Sequence, residues 1–389
     1  MQNTRNKLNP AELPPIQEYF LTQNLGDRPD QDSLHSADGI DCAELHLSNL
    51  GATIMGLTLP LSSGKRDVIL GFAKAEDYLV EEGNLGGLIG RVAGRIPAGP
   101  EGYPRVKIDG QVYPLSANAG RTCLHGGKPG FHREVWELAE EDQDATRNWL
   151  TFRLLSPDGD AGFPGDLEVF VTYSLERPDL AALAEEACLD LRISYQATCS
   201  APTVCSLTQH AYFNLRGHDQ GDLLGQSLQV TADAYTDFTD DLIATGDICP
   251  LKGTVLDLRQ GKDLGQLLAQ NPQLTVTRGL DHNYILNQEA HHPLQKVACL
   301  ACEDLRMEVL TTFPGLQVYT ANYLDTLGKP GENGQPTPYP PHSAVCLECQ
   351  AWPNAVNLPD FPSIRLEPGQ IYQQETIYRF KRRNFLDEI

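Results

Sequence analysis

The chain has 389 residues, 41% of them hydrophobic, enough for one large all-β domain or two ordinary ones around a sizeable core. Thirty basic residues against fifty-two acidic ones leave a net charge of −22, which argues against nucleic acid and anionic membrane surfaces, since both call for basic patches. No apolar run reaches membrane-spanning length and the N-terminus lacks the basic-then-apolar plan of a secretory signal, so a cytoplasmic location is expected.

Residues 1–38 are rich in Asn, Asp, Gln and Pro without periodicity, and are expected to form a poorly ordered or peripheral, dispensable extension ahead of a single domain over 39–389. From Ile40 onward the pattern changes. Ala43–Leu47 and Gly51–Leu59 alternate apolar and polar residues, Ser62-Ser63-Gly64-Lys65 spells a turn, and Asp67–Phe72 begins another strand. Short strands with turn signals every ten residues or so continue to the C-terminus. Only Leu180–Cys188 and Leu264–Gln270 carry weak helical patterns, too short to cover a parallel sheet, so the expected fold is all-β, a large antiparallel β-sandwich with a few short helices.

Several motifs invite readings that their context rejects. The glycines of Gly83–Ile96 have the wrong spacing for a dinucleotide fingerprint. Asp158–Asp166 hints at a calcium loop, but Phe163 stands where glycine is needed and no acid occupies the twelfth place. Cys299/Cys302 and Cys346/Cys349 have the CxxC spacing of a zinc site, yet Cys346–Cys349 lies in a strand pattern, where residues three apart point to opposite faces. Leu124-His125-Gly126-Gly127 sets glycines beside a histidine, as either a tight turn or a close backbone approach to a ligand. Thr208–Phe213, read as an extended strand, puts Thr208, His210 and Tyr212 on one face, a polar file that a purely structural strand rarely needs.

Taken together these segments resemble the aldose 1-epimerases, also called galactose mutarotases, from about residue 40 to Phe380. Gly90–Ile96 is similar to the family's GRxANRI, Leu124–Gly127 with Gly130-Phe131 and Trp136 to LHGG…GF…W, and Ser156–Gly165 to its S-x-DGxxGxPG loop. Thr208–Gly217 is similar to TxHxYFNLxG, Gly279–Asn283 to the segment with a sugar-binding aspartate, Pro314–Asn322 to PGxQxYTxN, and Cys346–Asn357 to CLExQxxPdaxN. Each motif is modest alone, but seven in order are specific.

The resemblance implies the galactose mutarotase-like supersandwich, with the pocket on a concave sheet face. It implies His210 as general acid and Glu348 as general base, with Arg95, His125, Tyr212, Asp281 and Gln317 lining a sugar pocket. It implies no cofactor and no metal, a small aldose such as galactose or glucose as substrate, and a monomer or homodimer. Gly94 departs from the pattern, standing where the motif has asparagine. The charges of Asp281 and Glu348 are expected to raise the pKa of His210. Two other readings carry distinct expectations. A carbohydrate-binding protein would need no acid–base pair, and a hexose-6-phosphate epimerase would need basic residues in the pocket, for which Lys128, Arg121 and Arg133 are the candidates.

Overall fold

A computed structural model describes residues 15–25, 42–81, 83–178, 187–287, 294–331 and 333–382. Alternating apolar residues build long antiparallel strands, and these assemble into one nine-stranded and one six-stranded sheet. The larger sheet runs in the order Glu137–Gln143, Arg147–Ser156, Leu167–Glu176, Ala187–Cys199, Tyr372–Arg382, Leu305–Thr311, Gln295–Ala301, Ser227–Val230, Lys262–Asp263. The smaller runs Tyr212–Phe213, Val345–Gln350, Gly315–Tyr319, Asp281–Leu286, Ala232–Phe238, Ala244–Pro250. Leu347, Cys349, Leu316 and Val318 face inward from the small sheet onto Val309, Met307, Tyr378 and Phe380 of the large one. The Tyr378 hydroxyl donates to Leu347 O at 2.9 Å and satisfies its own polar end within that core. The sandwich therefore matches the fold class expected from the strand pattern.

A third sheet joins Glu18–Asn24, Cys42–Ser48, Thr53–Leu61 and Gly64–Asp67, and an isolated bridge from Ile69 to Phe213 links it to the six-stranded sheet. Its first strand corrects the expectation of a poorly ordered or peripheral N-terminal extension at residues 18–24. Glu18–Asn24 pairs over seven residues with Cys42–Ser48. Leu21 is fully buried, and Tyr19 packs edge-on against Phe152 of the large sheet, ring centroids 5.4 Å apart. The buried amide of Asn49 clasps the entry to this strand, accepting from Gln17 N at 2.7 Å and donating to Pro15 O at 3.0 Å. The remainder of the expected extension, residues 1–14 and 26–38, lies outside the described residues.

Helix Leu264–Gln270 forms as its pattern predicts, capped by the Asp263 carboxylate accepting from Gln266 N. Of the other helical expectation, residues 180–186 lie outside the described residues, while Ala187 and Cys188 open a thirteen-residue strand. Within that strand Leu191–Ala197 alternates apolar and polar residues.

The loop that mimics a calcium site is organised around a buried cation. Arg91 donates to Ser156 Oγ and O, Pro157 O and Pro164 O at 2.8–3.0 Å, and its guanidinium lies 5.9 Å from the centre of the Phe163 ring. This planar fork fits three carbonyls at once, a geometry that an ammonium group does not reproduce. Arg91→Lys is therefore expected to destabilise the fold by about 2–4 kcal/mol, because buried acceptors lose their donors. A denaturant midpoint equal to that of the unsubstituted protein would contradict this.

Candidate active site

Strand register alone brings the polar residues together. Along Val345–Gln350, period two sends Cys346, Glu348 and Gln350 to the face opposite Leu347 and Cys349. Cross-strand pairing then sets Tyr212, Cys346, Tyr319 and Asp281 in one row. Glu348, Gln317 and Asn283 form the next row, followed by Gln350 opposite Gly315. This face floors a cavity of about 560 Å³, and segments carrying Glu81, Gly83, Gly94, Arg95, Leu124 and His125 contribute to its walls. All seven residues expected at the site line it: Arg95, His125, His210, Tyr212, Asp281, Gln317 and Glu348.

The polar file expected on Thr208–Phe213 is only partly realised. The regular ladder is interrupted at Ala211, leaving two short strands, Thr208–Gln209 and Tyr212–Phe213, although His210 N still donates to Gly87 O at 3.1 Å. His210 and Tyr212 stack with ring centroids 5.1 Å apart, whereas Thr208 is not among the cavity-lining residues. The Tyr212 hydroxyl donates to Gly83 O at 2.6 Å, so this residue meets the cavity through its ring and fixes a wall loop through its oxygen.

The turn before Asp281 is held by buried polar groups. Thr320 Oγ1 accepts from Leu280 N at 2.9 Å, and Asn322 Nδ2 donates to both Thr277 O and Leu280 O at 2.8 Å. Gln317 Nε2 in turn donates to Asp281 Oδ1 at 2.6 Å. The glycine beside His125 answers the question the sequence left open: a Cβ on Gly126 would lie 1.9 Å from Gly90 O, so the close approach is between two cavity loops. Within these loops Gly94 N donates to His125 Nδ1 at 3.3 Å. Burial, then the charges of His210 and Arg95, hold His125 well below the usual histidine range. A neutral ring with an accepting Nδ1 carries its proton on Nε2.

His210 Nε2 stands 3.7 Å from Glu348 Oε1, with both side chains almost fully buried. Here the structure reverses one expectation. Burial pushes His210 down to about 4 rather than letting the neighbouring carboxylates raise it. Burial, followed by the charge of Asp281, lifts Glu348 well above the usual carboxylate range. Desolvation penalises each charged form, and it outweighs the attraction between them.

Four acceptors on the sheet face have no hydrogen-bond partner among the described residues: Asn283 Oδ1, Gln317 Oε1, Glu348 Oε2 and Gln350 Oε1. Buried acceptors left unpaired cost free energy, so their concentration around one cavity marks it as built for a ligand rich in donors. Asn283, Tyr319 and Gln350 were not singled out from the sequence, although period two from Asp281 and from Glu348 leads to Asn283 and Gln350. The CxxC cysteines are spread out: Cys346 is buried beside His210 on the sheet face of Glu348 and Cys349 faces the core, while Cys299 is partly exposed in its strand and Cys302 is buried.

Comparison with known proteins follows the same line. The aldose 1-epimerase family profile matches residues 39–379. Galactose mutarotase from Rattus norvegicus is 38% identical over 341 residues, covering 87% of this chain and 92% of its own. Aldose 1-epimerase from Escherichia coli is 34% identical, covering 86% and 91%. Among solved structures, an aldose epimerase homologue from C. elegans superposes with a TM-score of 0.75 at 28% identity, covering 88% of this chain and 96% of that one. Galactose 1-epimerase from Lactobacillus acidophilus gives 0.72 at 26% identity, covering 95% and 100%. With this sandwich, this cavity and these relatives, the chain belongs to the aldose 1-epimerase family, isomerases that interconvert the anomers of aldoses.

Proposed function

We propose that the protein interconverts the α and β anomers of free galactose and glucose, with Glu348 and His210 moving the protons. The supporting observation is the buried Glu348–His210 pair set among unpaired acceptors suited to sugar hydroxyls. Opening the hemiacetal takes a proton from the C1 hydroxyl and delivers one to the ring oxygen. Rotation about C1–C2 and reclosure on the other carbonyl face then reverse the transfers. No redox change or group transfer enters this sequence.

Burial disfavours both charged forms, raising Glu348 and lowering His210, which favours a proton on Glu348 over one on His210 Nε2. Sugar hydroxyls donating to Glu348 Oε2 would stabilise its carboxylate and release that proton to His210 Nε2 without changing the total. Binding then charges the base and the acid together. Gln317 and Asn283 beside Glu348, the Nε2–H of His125, and Arg95 are the groups to orient the remaining hydroxyls. Arg95 is the one Lys or Arg among the lining residues, against Glu81, Asp281, Asp325 and Glu348, and Lys128, Arg121 and Arg133 are not part of the lining. That balance favours a neutral sugar over a sugar phosphate. A cytoplasmic setting is supported by nine free cysteines among the described residues. Polarimetry on freshly dissolved anomers across a panel of aldoses is the direct test. Decay no faster than the buffer blank for both galactose and glucose would reject the reading.

The proton inventory has its own check. In the sugar-free enzyme, an NMR titration of His210 is expected to show a midpoint near 4 instead of the ordinary 6.5. Between pH 6.5 and about 4 the unfolded chain protonates this imidazole and the native chain does not. The stability it supplies above pH 6.5 is therefore lost as pH falls toward 4. A midpoint at or above 6.5 would mean that neighbouring charge, not burial, governs the ring.

A further inference from the structure

Behind the His210 imidazole stands a side chain that these proton transfers do not use. Cys346 precedes Glu348 by two residues and shares its sheet face, between Tyr212 and Tyr319 in the cross-strand row. It is fully buried, and its Sγ lies 3.5 Å from His210 Nδ1, while Nε2 on the other side of the ring faces Glu348 at 3.7 Å. Tyr212 stacks on the imidazole, and Tyr319 and His125 meet it edge-on. Each ring nitrogen thus has a fixed direction, one toward the thiol and one toward the carboxylate and the cavity.

A histidine that takes and gives a proton at Nε2 must keep the other proton on Nδ1 throughout. In the alternative tautomer Nε2 is already occupied and cannot accept from Glu348. The neighbouring sulfur, 3.5 Å from Nδ1, offers an acceptor for the Nδ1 hydrogen. Burial, then the charges of Glu348 and Asp281, keep the thiol uncharged. A neutral, weak acceptor orients the ring without strongly stabilising its cation, so the proton gained at Nε2 is readily given up. A carboxylate in that place would hold the cation more tightly. We propose that Cys346 is a positioning residue whose sulfur accepts from His210 Nδ1–H and so reserves Nε2 as the nitrogen that shuttles the proton.

The inference rests on His210 acting at Nε2, so its test includes a measurement independent of turnover. Nitrogen-15 spectra of the histidine-labelled enzyme near neutral pH should show His210 protonated at Nδ1 and bare at Nε2. Cys346→Ala should shift the population toward Nε2–H and lower kcat by about 3- to 10-fold, the size of one modest hydrogen bond, with KM little changed. Cys346→Ser, which keeps an uncharged acceptor, should restore both the spectrum and the rate. An Nε2–H tautomer in the unsubstituted enzyme would overturn the proposal whether or not either variant folds. So would a Cys346→Ala spectrum and rate identical to those of the parent. Full activity in His210→Asn would instead reject the acid role itself while leaving the tautomer measurement intact.

Discussion

Replacing Glu348 by glutamine is expected to lower kcat by about 10²–10⁴-fold, the usual contribution of a positioned general base. Glutamine preserves the shape and can still hydrogen-bond, but it cannot remove the C1 proton. It also relieves the burial of a carboxylate that desolvation already disfavours, so thermal stability should hold or rise. Lost turnover with retained stability separates chemistry from unfolding. His210→Asn should produce a loss of the same order, because the ring oxygen then lacks its donor. The two residues face each other at 3.7 Å and serve one concerted transfer, so the double variant should be far less than multiplicatively worse. Arg95, His125 and Asp281 remain in each variant, and sugar binding should change much less than kcat. A Glu348→Gln enzyme turning over near the parent rate would refute the assignment.

The second large effect concerns the first described strand. A chain beginning at Pro15 keeps Leu21, the Asn49 clasp and all seven pairings with Cys42–Ser48. A chain beginning at Cys42 loses them. It uncovers the flank of Leu45 and Leu47, removes Tyr19 from Phe152, and turns a paired strand into an open edge. Several large apolar groups at about 1.5–3 kcal/mol each put the cost on the order of 5 kcal/mol or more. That is comparable with the whole stability of many domains. Calorimetry and soluble yield should therefore be unchanged for the first chain and collapse for the second. Equal melting temperatures would show the strand to be dispensable after all.

What could be foreseen divides along physical lines. Alternation and turn residues are local, so the sandwich, the short helix at Leu264–Gln270 and the opposed faces of Cys346 and Cys349 were all legible. The seven residues expected at the site, which all line the cavity, were legible through motifs. Asn283 and Gln350 became visible only once register placed them beside Gln317 and Glu348. Glu18–Asn24 escaped notice because seven residues with two acidic or amide ends carry little periodic signal. Its partner lies beyond a long polar stretch. The direction of the His210 shift was missed for a different reason. A sequence displays which charges are available, but desolvation depends on how completely the folded chain encloses a group.

The cross-strand row of Glu348, Gln317 and Asn283 has a bearing on quality control. On Val345–Gln350, Glu348 and Gln350 meet the cavity and the odd-numbered positions fill the core, so a one-residue slip would exchange the two sets. Leu347 and Cys349 would then occupy the reaction chamber while a carboxylate and an amide were forced between the sheets. Errors in pairing cannot yield a sluggish but intact catalyst; they yield an inert chain with a spoiled interior. Specific activity measured after refolding thus counts the molecules whose strands have mated correctly, with no separate structural probe.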